Sequence, residues 1–317
     1  MTDFGFVSPV VSSTQSFFRE EALVVELLTQ CSQIVQGDTA TPTPTAPHNH
    51  HPEFLKIAQD ARKCIDIIET YQEQPAILDA SLEVMVAPIM VGFRQAVAQH
   101  TARVAADTGL TPSRLLGPTS SRLIRVSKLL YTVCKVRGYK KVVRLFPHEV
   151  ADLEPVFHLL QAQDTDDHET WHVRYSLLLW MSIIVIVPFD LQTIDSSVGS
   201  STEGPSLVDR IISVCKMYLR DSGPARNAAA LCLSKLLTRP DMEARHLTEF
   251  LVWANSVVAA SVDDGSDGSD ASTQPGNAVK AAQYLGSVNF VQGETKSSTL
   301  RHHLKGKGSV IYTSTKT

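Results

Sequence analysis

The sequence predicts an all-α protein: an α-solenoid of HEAT/armadillo-like helical repeats with a disordered C-terminal tail. Apolar residues recur at three- and four-residue steps from Phe17 to about Val262. The breaks between these stretches are helix caps, glycines and prolines. Ser206 to Pro240 fits two antiparallel helices into about 35 residues, the size of a HEAT-type unit. Three regions follow: residues 1–51, an N-terminal helix and Pro/Thr-rich linker; 52–262, the helical-repeat domain; and 263–317, a low-complexity, mostly disordered tail.

The first helix carries Phe17, Val24, Leu27, Leu28, Cys31, Ile34 and Val35 on one stripe and is expected to end at Gly37. Asp38 to His51 repeats Thr-Pro without apolar periodicity and reads as an extended connector. The second helix spans Pro52 to Tyr71, with Phe54, Ile57, Ala61, Cys64, Ile65, Ile68 and Tyr71 facing inward. The third begins after Asp79 as N-cap, and Pro88 should kink or break it. Gly109, Pro112 and Pro118 mark a loop, and the next helix, Ser121 to Val136, ends at Gly138.

A helix pair follows from Pro147 to Gln163 and His168 to Val187. Within it, LLLWMSIIVIV (177–187) is apolar on every side but about half the roughly 20 residues needed to span a bilayer, so it is expected to be a core helix between neighbours. In the next pair Ser206 and Asp209 suit a capping box variant, and Ser222 and Pro224 a helix start. Beyond Ser261 an acidic Gly/Ser stretch has nothing to bury, and Asn277 to Asn289 could form one short helix.

A net charge of −4 argues against nucleic acid as the main partner. Five dispersed cysteines suggest neither a disulfide framework nor a Cys-rich zinc site, and they read as reduced, buried thiols. The N-terminus lacks a secretory pattern, so the cytosol is expected. With no phosphate-binding loop or dinucleotide fingerprint, no cofactor is expected.

Four constellations could carry chemistry. HETWH (168–172) satisfies the H-E-x-x-H pattern, which on a helix would set His168 and His172 on one face for zinc with Glu169 as base. No third ligand follows at a suitable spacing, and Asp167 and Glu169 read instead as a helix cap and first-turn acid. No metal is therefore expected. The basic run Lys135, Arg137, Lys140, Lys141 and Arg144 reads either as a surface meeting an acidic partner or as a solvated face, with Glu149, Asp152 and Glu154 near enough to answer it. His48, His50 and His51 lie in the linker, where ordering a metal site is costly. Asp221-Ser222-Gly223-Pro224 reads as a helix-helix turn, not a nucleophile site.

The stretch KVRGYKKVVRLFPHEVADLEPV (135–156) resembles the beta-tubulin cofactor D family, as do YQEQP (71–75), DHE (167–169), RYSLLLWMS (174–182), PFD (188–190) and TRPDM (238–242). The resemblance runs from about Cys64 to about Trp253. It implies a scaffold that captures beta-tubulin, joins cofactors C and E around the tubulin heterodimer, associates with an Arf-like small GTPase and promotes tubulin GTP hydrolysis without catalytic residues of its own. It implies a cytoplasmic, cytoskeleton-associated protein that does not insert into membranes. Those proteins are much longer, and the matching part is roughly their N-terminal quarter. A truncated product, a shortened paralogue or a mispredicted gene would each fit. A generic HEAT scaffold for another partner and a zinc hydrolase built on HETWH are the alternative functions.

Overall fold

The computed structural model describes residues 17–33, 52–106, 121–189, 191, 194, 204–221 and 223–263. The main helices are α1 (Glu21–Ser32), α2 (Pro52–Glu69), α3 (Leu82–Ala106), α4 (Ser121–Val133), α5 (Leu153–Gln161), α6 (Trp171–Ile184), α7 (Leu207–Tyr218), α8 (Pro224–Leu237) and α9 (Thr248–Asp263). Shorter helical turns join them, and no strand occurs among the described residues. The fold is an α-solenoid of armadillo/HEAT-like helix pairs.

α6 shows why the chain stacks this way. Val173 and Leu177 to Met181 are buried on all sides, which requires neighbours on every flank. α4 and α8 lie against α6 on two sides, and α5 packs on it as well. Tyr131, at the end of α4, meets Trp171, His172 and Tyr175 at the start of α6, with centroids 4.7, 5.4 and 5.3 Å away, so these helices run antiparallel. Trp180 is fully buried, and its indole N–H donates to the Pro147 carbonyl at 2.7 Å. The α7/α8 pair begins as read: the Ser206 hydroxyl accepts the Asp209 N–H at 3.2 Å and donates to the Asp209 carboxylate at 2.7 Å. Pro224 opens α8.

Helix α1 closes one end of the array, packing on α2, α3 and α4. Gly92 permits this approach, because a Cβ there would lie 2.8 Å from the Ser32 carbonyl oxygen. Two buried arginines of α4 hold the last α1 carbonyls: Arg122 donates to Ser32 O at 3.0 and 2.6 Å, and Arg125 to Cys31 O at 2.8 Å. These bonds satisfy the acceptors that any helix C-terminus leaves unpaired.

The same device recurs at two turns. Arg174 donates to the Asp164 and Asp167 carbonyls at 2.7 and 2.9 Å, fixing the turn before α6. Arg239 donates to the carbonyls of Val185, Val187 and Phe189 at 2.6, 2.8 and 2.7 Å, tying the turn after α8 to the turn after α6. The C-terminal ends of α6 and α8 therefore lie together.

Several expectations need correction. Pro88 does not break α3, which continues through it. The carbonyl deprived of a donor belongs to Val84, which is on the exposed side where water reaches it, while Met85, Ile89 and Phe93 are buried. Asp79 does not cap α3. A 3-10 turn over Pro75–Ser81 already starts at Pro75 and runs straight into Leu82. Phe17 is exposed and Phe18 takes its place, packing edge-on against Tyr71. α5 and α6 begin later than read, at Leu153 and Trp171. Ile34 to His51, the Phe54 side chain, the 109–118 loop, Ser222 and the tail from 264 lie outside what is described.

All five cysteines are buried and unbridged, and burial pushes the thiols of Cys64 and Cys134 up to about 12. By length and composition Pro75–Ala102 could cross a bilayer, whereas 177–187 is too short. Half of the most apolar stretch of Pro75–Ala102 is buried in the fold.

Candidate partner-binding surface

The basic run occupies the bend where the α4 direction ends. After Val133 the helix widens into a π segment, Cys134–Gly138, with one residue more per hydrogen-bonded turn. Gly138 then takes φ +91°, a left-handed value that suits a residue without Cβ. Helix resumes at Tyr139–Val142 and tightens into a 3-10 turn at Val143–Leu145. Val136, Val142, Val143 and Phe146 are buried beneath, so the cations project from a firm base.

Acids far back in the chain answer three of the five. Lys135 donates to Glu69 at 2.9 Å. Arg137 grips Asp79 with two bonds, from Nε and, at 2.6 Å, from Nη2. Lys141 reaches the same carboxylate at 2.7 Å. The Arg137 hydrogen bond and then that of Lys141 hold the Asp79 carboxyl well below the usual carboxylate range. Lys140 and Arg144 are exposed, with no ion-pair partner among the described residues.

Glu149 and Asp152, expected near the run, instead engage Arg94 of α3, which bonds both Glu149 oxygens and meets Asp152 at 3.0 Å. Burial raises the Asp152 carboxyl despite Arg94. Sequence reasoning missed Glu69, Asp79, Arg94 and Arg239. For the first three the missing link is pairing across some 55 to 66 positions, which no local pattern carries. Arg239 stood in the motif TRPDM without a role.

HETWH does not form its zinc geometry. His168 and Glu169 lie in the turn before α6, and only Trp171 and His172 are helical, so the two imidazoles do not share a helical face. Asp167 accepts the Glu169 N–H at 2.8 Å, an Asx turn where a cap was expected. His172 stacks on Trp171 at 3.6 Å, and its burial, with Lys128 adding to it, lowers its pKa to about 4. Among the described residues no group of three His, Cys, Asp or Glu could hold a metal. The linker histidines lie outside them, and Asp221 accepts the Gly223 N–H at 3.0 Å in the α7–α8 turn.

The family model "Tubulin-specific chaperone D-like, ARM repeat" matches residues 68–258. Tubulin-folding cofactor D of Schizosaccharomyces pombe is 34% identical over 116 residues, which cover 37% of this chain and 10% of that protein. Tubulin-specific chaperone D of Dictyostelium discoideum is 23% identical over 66% of this chain and 19% of its own length. This chain thus spans only a tenth to a fifth of these relatives. No solved structure matches it significantly.

Proposed function

This chain belongs to the tubulin-specific chaperone D-like family through its ARM-repeat region, and from that premise we propose that it is a tubulin-folding cofactor D-like scaffold. The carrying observation is that the matched residues, 68–258, are those of the packed helical array from the end of α2 into α9. A stack of helix pairs offers an extended surface for holding a large client, and holding is what a chaperone of aggregation-prone intermediates needs. The client in this reading is beta-tubulin. The further partners are cofactors C and E and an Arf-like small GTPase during heterodimer assembly. The run Lys135, Arg137, Lys140, Lys141 and Arg144 supplies the partner-facing cations.

In this reading the chain is cytoplasmic and cytoskeleton-associated. It works by binding alone, and tubulin GTP hydrolysis is promoted within the assembled complex. The test is capture of purified tubulin by the immobilised chain in low salt, with a heat-unfolded sample of the same chain as control. Capture by the folded chain alone is expected. Equal capture by both samples, or none by either, overturns the proposal.

A further inference from the structure

We propose that Lys140 and Arg144 form a reading pair for an extended acidic polypeptide segment, on an anchor made by Lys135, Arg137 and Lys141. This deepens the scaffold reading of the same run and rests on it.

The division of labour follows from the ion pairs. Five cations meet two carboxylates, Glu69 and Asp79, leaving an excess of three positive charges at one bend of a chain whose net charge is −4. Asp79 binds Arg137 and Lys141 together, so those two are fixed and partly spent. Glu149 and Asp152 are engaged by Arg94 and do not answer Lys140 or Arg144. Exposed like charges crowded at a bend repel one another unless an anion meets them, so the uncompensated field favours an acidic occupant.

Geometry narrows the class. Lys140 and Arg144 are four residues apart on the helical run Tyr139–Leu145, so they share a face with Cβ atoms roughly 5–6 Å apart. Alternate side chains of an extended strand recur at roughly 6.6 Å, and two carboxylates at that interval can each meet one cation. Val142 and Val143 between them are buried, so the pair stands on packed backbone. Arg144 can take a carboxylate with two parallel bonds, whereas Lys140 acts as a point charge.

The probe is a fluorescein-labelled peptide of ten glutamates, read by anisotropy at about 25 and about 150 mM NaCl, salts that bracket weak and physiological screening. The wild type should bind at low salt and weaken at the higher. K140E/R144E should lose about tenfold or more in affinity with its thermal midpoint unchanged. The control R62E/K63E makes the same charge change on exposed α2 positions and should keep binding. No peptide binding by the wild type, equal loss in the control, or full binding by K140E/R144E overturns the proposal. Binding to phosphatidylserine vesicles in place of the peptide overturns it as well. Tubulin capture separates the two levels. Peptide binding without tubulin capture sinks the scaffold reading and leaves the acidic site standing. Normal tubulin capture by K140E/R144E, with no peptide binding by the wild type, does the reverse.

Discussion

Replacing Arg239 with alanine removes one guanidinium that serves three carbonyls, those of Val185, Val187 and Phe189, at 2.6 to 2.8 Å. Val185 is fully buried, so its carbonyl is left without a donor at a cost of about 1–3 kcal/mol. Val187 is half-buried and Phe189 exposed, so water replaces much of what those two lose, and each adds about 0.5 kcal/mol. The bidentate pair with Asp241 adds little, because that carboxylate is 42% exposed. The loss should total about 2–4 kcal/mol, or roughly 4–16 °C in thermal midpoint for a domain of this size. Arg239→Lys should recover only part of it, since one ammonium cannot reach three acceptors in a fork. Circular dichroism melts of both variants and of Asp241→Asn supply the comparison. An Arg239→Ala midpoint indistinguishable from wild type would refute the claim that this residue ties the last two helix pairs together.

Leu178→Asp places an unpaired charge in the fully buried face of α6 and should abolish soluble folding, whereas Leu55→Asp at an exposed α2 position should be tolerated; equal solubility of the two would show the core is misplaced. Gly92→Ala should push α1 off α3 and weaken the Arg122 bonds to Ser32, costing about 1–3 kcal/mol and raising hydrogen exchange over residues 21–32 first; unchanged exchange there would contradict the close approach. His172 has its pKa lowered by burial from 6.5 to about 4, so its contribution is complete above the unfolded value and is lost as pH falls through the window down to about 4. Denaturant midpoints of His172→Gln should therefore fall less than wild type between pH 7 and 4, and parallel curves would argue against it.

What the sequence made legible were features with local causes. The Ser206 cap, the Pro224 start and the all-round burial of α6 depend on residues a few positions apart, and each was readable from spacing alone. Pro88 does not break its helix, because the acceptor it deprives lies on the exposed side at Val84, and that exposure depends on tertiary packing. The run 135–144 was legible as a cluster of charge but not as a site. Its composition is local, whereas the acids that divide it, Glu69 and Asp79, arrive through the pairing of distant turns. The carbonyl-holding arginines were invisible for a related reason: the buried Arg122, Arg125 and Arg174 and the half-buried Arg239 look like surface residues until the carbonyls they serve are known.

The central claim is that this helical array holds a tubulin-class client through the bend at 135–146. Hydrogen exchange of the folded chain with and without purified tubulin tests it most directly. The account predicts slowed exchange concentrated in residues 135–146 when tubulin is present, diminished in K140E/R144E and weakened by salt. Protection confined to other helices, or an unchanged pattern under conditions where tubulin is captured, would contradict it.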